Sequence, residues 1–69
     1  MATFKCYEIE TQGDIDAALS DLRKAGLYDI KVVGHNEDEE SLTVSCNVPP
    51  TIKTRADLKA ALADSEVIL

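Results

Sequence analysis

Residues 41–48 read Ser-Leu-Thr-Val-Ser-Cys-Asn-Val, and Pro49-Pro50 follows. Leu42, Val44, Cys46 and Val48 point one way; Ser41, Thr43, Ser45 and Asn47 point the other. Alternation with period 2 marks a strand with one apolar and one polar face. The prolines end it, because neither can donate to a ladder. This is the clearest alternation in the chain, and the other elements are read outward from it.

Upstream, Asn36-Glu37-Asp38-Glu39-Glu40 is a polar run that reads as a hairpin loop. Before it, Asp29 to His35 reads as a strand, with Ile30 and Val32 on one face and Lys31 and Val33 on the other. Further back, Ile15, Ala18, Leu19, Leu22 and Ala25 recur at helical spacing. Asp14 is placed as that helix's N-cap, since its carboxylate can accept from free backbone N–H groups. Asp14 and Asp16 sit at the positive end of the helix dipole, and Arg23 and Lys24 at the negative end. Gly26 stands where a left-handed C-cap needs it. Residues 3–10 form the first strand, with Phe4 and Cys6 on one face and Lys5, Tyr7 and Ile9 on the other.

Downstream, Thr54-Arg55-Ala56-Asp57 fits a capping box with Asp in the place usually held by Glu or Gln. Ala56 to Ala63 continue as a helix whose stripe includes Leu58, Ala61 and Leu62. Ser65-Glu66 turns the chain into a short last strand, Val67-Ile68-Leu69. Asp21-Leu22-Arg23-Lys24-Ala25 also echoes Asp57-Leu58-Lys59-Ala60-Ala61.

The order is βαββαβ. Right-handed crossovers put both helices on one face of the sheet. The expected fold is therefore α+β: a single domain over 1–69, a ferredoxin-like plait whose four antiparallel strands run in the order 4-1-3-2, with the other sheet face open.

The passage Ala18-Leu19-Ser20-Asp21-Leu22…Gly26-Leu27-Tyr28-Asp29-Ile30-Lys31-Val32, followed by Ser41-Leu42-Thr43-Val44, resembles the heavy-metal-associated domains. These are plaits of about this length that carry or transfer soft metals. The resemblance spans residues 3–69 in topology. It implies a Cys-x-x-Cys loop before the first helix, near residues 10–16. That stretch here is Glu-Thr-Gln-Gly-Asp-Ile-Asp, without cysteine, so no metal ligand carries over. The ACT-type regulatory domains share the topology, and no residue selects them.

Composition narrows the function classes. A chain of 69 residues buries only about 60% of the surface its unfolded form exposes. A deep catalytic pocket would take volume from a small core, so no enzyme and no cofactor are expected. The net charge is −6, from thirteen acidic and seven basic residues. Nucleic-acid affinity rests largely on Lys and Arg against phosphate, so nucleic acid is not an expected partner. An anionic membrane is disfavoured likewise, and no apolar stretch approaches the ~20 residues of a membrane span. Met1-Ala2-Thr3-Phe4-Lys5 lacks the apolar region of a signal peptide. The expected compartment is the cytoplasm, with Cys6 and Cys46 reduced.

Four groups of residues invite a chemical reading. Cys6 and Cys46 fall on the helix-packed face of adjacent strands, a placement that leaves room for them to be near neighbours. Two thiols are an incomplete zinc site, so both are read as small buried hydrophobes. His35 with Glu37, Asp38, Glu39 and Glu40 lacks the spacing and central glycine of a calcium loop, and reads as a solvated hairpin tip. Asp14 and Asp16 are explained by their place at a helix start. The open face is the fourth group. It should show Lys5, Tyr7 and Ile9 from strand 1, Lys31 and Val33 from strand 2, Thr43 and Ser45 from strand 3, and Ile68 from strand 4. RNA-recognition motifs use this face with stacked aromatics on both central strands, whereas strand 3 here offers Thr and Ser.

The sequence therefore points to a non-enzymatic interaction or regulatory module that binds another protein, or a second copy of itself, through its open sheet face or an edge strand. Lys5, Tyr7, Ile9, Lys31, Val33 and Ile68 are the expected contact residues. Two alternatives stand beside it. One is a small-ligand or metal-carrying domain of heavy-metal-associated type. The other is an acidic phage-type inhibitor of a nucleic-acid-binding protein.

Overall fold

In the computed structural model, which describes residues 1–69, the chain runs β1 (Ala2–Cys6), α1 (Gln12–Lys24), β2 (Tyr28–Asn36), β3 (Ser41–Asn47) and α2 (Arg55–Ala61). The fold class is α+β. The sheet is antiparallel in the order β1-β3-β2. The alternating stretch 41–47 is thus the central strand, and its inward residues Leu42, Val44 and Cys46 are fully buried. Cross-strand register builds two inward rows: Cys6–Leu42–His35 and Phe4–Val44–Val32.

The expected fourth strand is reduced to a single bridge, Tyr7 to Ile68, with the Tyr7 N–H donating to the Ile68 carbonyl at 2.7 Å. The reason is local. Glu8 adopts φ 64, a left-handed conformation that breaks the ladder just after Tyr7. No second bridge joins the segment 67–69 to β1, and Ala2 to Lys5 make no ladder bonds on that side. The sheet has three strands, not four.

Both helices open on the same device. Thr54 caps α2 as the sequence indicates. Its Oγ accepts from the Asp57 N–H at 3.2 Å, and Asp57 Oδ2 accepts from the N–H groups of Thr54 (3.1 Å) and Lys53 (3.0 Å). In α1 the N-cap is Thr11, not Asp14. Asp14 is the third helical residue, and its Oδ2 accepts from the N–H groups of Thr11 (3.0 Å) and Glu10 (2.9 Å). Thr-x-x-Asp is therefore the shared start, and the helices align from Thr11 and Thr54 rather than from the Asp-Leu pairs.

The end of α1 follows the expected chemistry. Gly26 has φ 100, its N–H reaches the Arg23 carbonyl, and the Leu27 N–H reaches that of Leu22. This is a Schellman cap with its apolar contact, since Leu22 and Leu27 are both buried. Helix α2 ends at Ala61, two residues short of the expected Ala63, and Ala61 itself is exposed.

One core holds Phe4 and Cys6 of β1, Ala18 and Leu22 of α1, Leu42, Val44 and Cys46 of β3, and Leu58 of α2, joined by Ile9, Leu27, Ile52 and Leu62. β2 hangs at its margin. Val32 lies in an inward row yet is 46% exposed. The register of β2 slips twice, between Tyr28 and Lys31 and between Val32 and Gly34. Asp29 takes φ 53 at the first slip, and its carboxylate accepts from Asn47 Nδ2 at 3.0 Å.

Candidate functional site

The structure splits the expected contact face. Lys5, Tyr7, Lys31, Val33 and Ile68 are exposed. Ile9 is not: it is 5% exposed and belongs to the core. The left-handed turn at Glu8 resets the strand alternation, so the residue after it swings inward. The Ile9 N–H then donates to the Glu40 carbonyl at 2.8 Å.

The remaining apolar groups form two areas rather than one. Tyr7 and Ile68 meet at the outer side of β1. Val33 lies at the second slip of β2, on the opposite sheet edge. Thr43 and Ser45 of β3 lie between. Lys5 is partly occupied, since its Nζ pairs with Glu39 Oε2 at 3.2 Å.

β2 also carries exposed apolar residues that the sequence did not single out. Tyr28, Val32 and Val33 are 51%, 46% and 59% exposed. Tyr28 lies one residue before the expected strand start. Val32 was placed on its correct face. Periodicity tells which face a residue takes, not whether a helix reaches far enough to cover it.

The cysteines are both free and buried, but they are not neighbours. Cys6 stands opposite Leu42, and Cys46 stands opposite Ala2. Four residues of strand separate them, about 13 Å of rise. A disulfide needs Cα atoms within about 7 Å, and one metal ion would not reach both. Burial pushes Cys6 up to about 11. Burial also raises Cys46. Both are held as protonated thiols at neutral pH.

The acidic hairpin is organised by its own backbone. Asn36 Oδ1 accepts from the N–H groups of Asp38 (3.0 Å) and Glu39 (3.1 Å). Glu40 closes the loop at φ 53. Its carboxyl is raised, first by the charge of Glu10 and then by desolvation, with Glu8 adding to it. Glu39 is lowered, mainly by Lys5 and also by the Ser41 hydroxyl. His35 faces away from these acids. Its Nε2 lies 3.2 Å from the Ile9 carbonyl, which only accepts, so Nε2 carries the proton. No group of three His, Cys, Asp or Glu side chains is placed to hold a metal ion.

Asp14 and Asp57 sit well below the ordinary carboxylate value because backbone N–H groups donate to them, from Glu10 and Thr11 and from Lys53 and Thr54 respectively. Asp16 accepts from Gln12 Nε2 at 3.1 Å. A groove of about 560 Å³ lies between α1, residues 7–9 and residues 65–68. Its hydroxyls are those of Tyr7 and Ser65, and the Ser65 hydroxyl already donates to the Leu62 carbonyl at 2.7 Å. The carboxylates of Glu8, Asp14, Asp21 and Glu66 line the same groove, and Asp14 is held by its helix cap.

Fold and surface together define a small α+β fold whose side-chain hydrogen bonds lie mainly in caps and turns, beside one surface ion pair. Comparison with protein-family models, with curated proteins and with solved structures finds no match. No helix is long and apolar enough to cross a membrane.

Proposed function

We propose that this chain is a non-enzymatic interaction module that binds another protein through its exposed edge strand β2, whose apolar side chains project from both sides of the sheet margin. One observation carries the reading: Tyr28, Val32 and Val33 are all about half exposed on a single nine-residue edge strand. Exposed apolar groups that are contiguous mark contact surfaces, whereas isolated ones carry no such meaning. Tyrosine is also enriched among residues that dominate interface energy. The register slips of β2 keep such an edge from pairing indiscriminately, which favours a contact made by side chains. The net charge of −6 supports a protein partner over a nucleic acid.

The strand order β1-β3-β2 and the Tyr7–Ile68 bridge support a ferredoxin-like plait with a vestigial fourth strand. In that reading the open face is the side opposite the helices, and β2 is its exposed margin.

The test uses Tyr28→Ala and Val33→Asp, each checked for an unchanged far-UV circular dichroism spectrum. Self-association is followed by sedimentation and partner recovery by pull-down. Both variants should lose the association that the parent shows. A parent that sediments as a monomer, with both variants retaining every partner at unchanged affinity, removes β2 as the working surface.

A further inference from the structure

The two edges of the sheet differ. β2 carries two register slips, whereas β1 pairs with β3 without one from Ala2 to Cys6. The Tyr7 N–H already points away from the sheet and is taken by the Ile68 carbonyl. By the two-residue repeat of a strand, the backbone groups of Thr3 and Lys5 point the same way. Neither residue bonds to any segment on that side. Four residues of regular edge are therefore open, in line with a bridge that shows the edge accepting a partner.

Beside this edge runs a groove of about 250 Å³. Phe4, Val48, Ile52 and Leu58 line it, and Lys53 and Arg55 stand at its side. No acidic residue lines it, although the chain has thirteen against seven basic residues. It is an apolar trough with local positive charge on an otherwise acidic protein.

We propose that the outer edge of β1 takes an extended segment of another protein by strand addition. The segment carries an apolar side chain and, two residues on, a carboxylate. Strand addition draws affinity from main-chain hydrogen bonds and specificity from pockets for alternate side chains. Residues i and i+2 of an added strand share one face. An apolar residue at i packs against Phe4, Ile52 and Leu58, and a carboxylate at i+2 comes beside Lys53 or Arg55. Main-chain bonds form to Thr3 and Lys5. This site is separate from the β2 surface and does not depend on it.

The test is a titration of the labelled full chain with a capped hexapeptide, Thr-Leu-Thr-Glu-Thr-Leu, followed by amide chemical shifts and hydrogen exchange. The control peptide has Lys in place of Glu. The Glu peptide should slow exchange at Thr3 and Lys5 and bind more tightly than the control. Thr3→Pro removes one outward donor at an edge position where proline is tolerated. It should weaken binding about tenfold, through one lost hydrogen bond and a displaced partner strand. The double variant Lys53→Glu, Arg55→Glu alters side chains only and should reverse the preference between the peptides. Val33→Asp should leave binding unchanged, so loss of the β2 reading leaves this one standing. Equal affinity for the two peptides, binding without protection at Thr3 and Lys5, or no binding at millimolar peptide overturns the proposal.

Discussion

Replacing Ile9 separates two placements of the same residue. Strand alternation carried through residue 9 would leave it on the open face. The turn at Glu8 puts it in the core at 5% exposure. Ile9→Ala removes three carbons, worth about 2.4 kcal/mol of transfer at ~0.8 kcal/mol per buried methylene. The cavity left behind adds to this, so the total falls in the range of about 2–5 kcal/mol. A domain of this size has only about 3–5 kcal/mol in all. Ile9→Ala should therefore stand at or beyond the limit of folding. Ile9→Val, one methylene smaller, keeps the measurement in range at about 0.5–1.5 kcal/mol. Val33→Ala is the control, since substitutions on exposed surface stay within about 0.5 kcal/mol. Urea unfolding followed by far-UV circular dichroism gives the midpoints. If Ile9→Val and Ile9→Ala both unfold at the parent's midpoint with an unchanged slope, the turn at Glu8 does not deliver Ile9 to the core.

Further outcomes follow from the caps, the thiols and the turns. Thr11→Ala and Thr54→Ala should each cost about 1 kcal/mol in urea unfolding, as the loss of an N-cap does. Asp14 and Asp57 titrate below their ordinary value of 3.8. Their contribution is present above that value and is lost as pH falls through the lowered one, so Asp57→Asn should flatten the acid limb of the stability profile. Cys6 behaves oppositely: its pKa is raised, so its contribution is complete below the ordinary thiol value of 9.0 and is lost as pH climbs towards about 11. Cys6→Ala should remove that alkaline decline, and in the parent both thiols should react with a disulfide reagent only as fast as the chain opens. Glu8→Gly should stabilise by about 0.5–1 kcal/mol, the left-handed strain relieved less the added freedom of the unfolded chain.

The parts of the fold visible in the sequence are those written in local chemistry. The alternation of 41–47, the box at Thr54–Asp57 and the glycine at 26 each specify their own geometry within a few residues. Thr11 is hard to single out in the sequence because Asp14 is itself an attractive cap, and the structure makes Asp14 the third helical residue. The placement of Ile9 depended on Glu8, a non-glycine residue in a left-handed conformation, which periodicity does not announce. The apolar run Val67-Ile68-Leu69 suggests a fourth strand, but the fold limits it to one bridge. Cys6 and Cys46 are free and buried as the apolar faces indicate, but their spacing is hidden for the same reason. Adjacent strands follow from topology, whereas the offset of four residues between Cys6 and Cys46 follows from register. Of the expected contact residues, five are exposed and Ile9 is not.

The pairing of β1 with β3 also sets the order in which the chain comes together. β2 and β3 meet across the four-residue turn 37–40, so their hairpin closes quickly. Pairing β1 with β3 joins residues roughly forty positions apart, and that loop-closure entropy must be met before the contacts reward it. The N-terminal strand is thus the last piece to dock and the first to peel away. Its departure strips the cover from Leu42 and Val44 and carries Phe4 and Cys6 into water, while the hairpin and both helix caps keep their local bonds. Native-state hydrogen exchange should show the β1 amides opening at lower free energy than those β3 shares with β2. The thiol of Cys6, which leaves with β1, should become reactive in that partial opening.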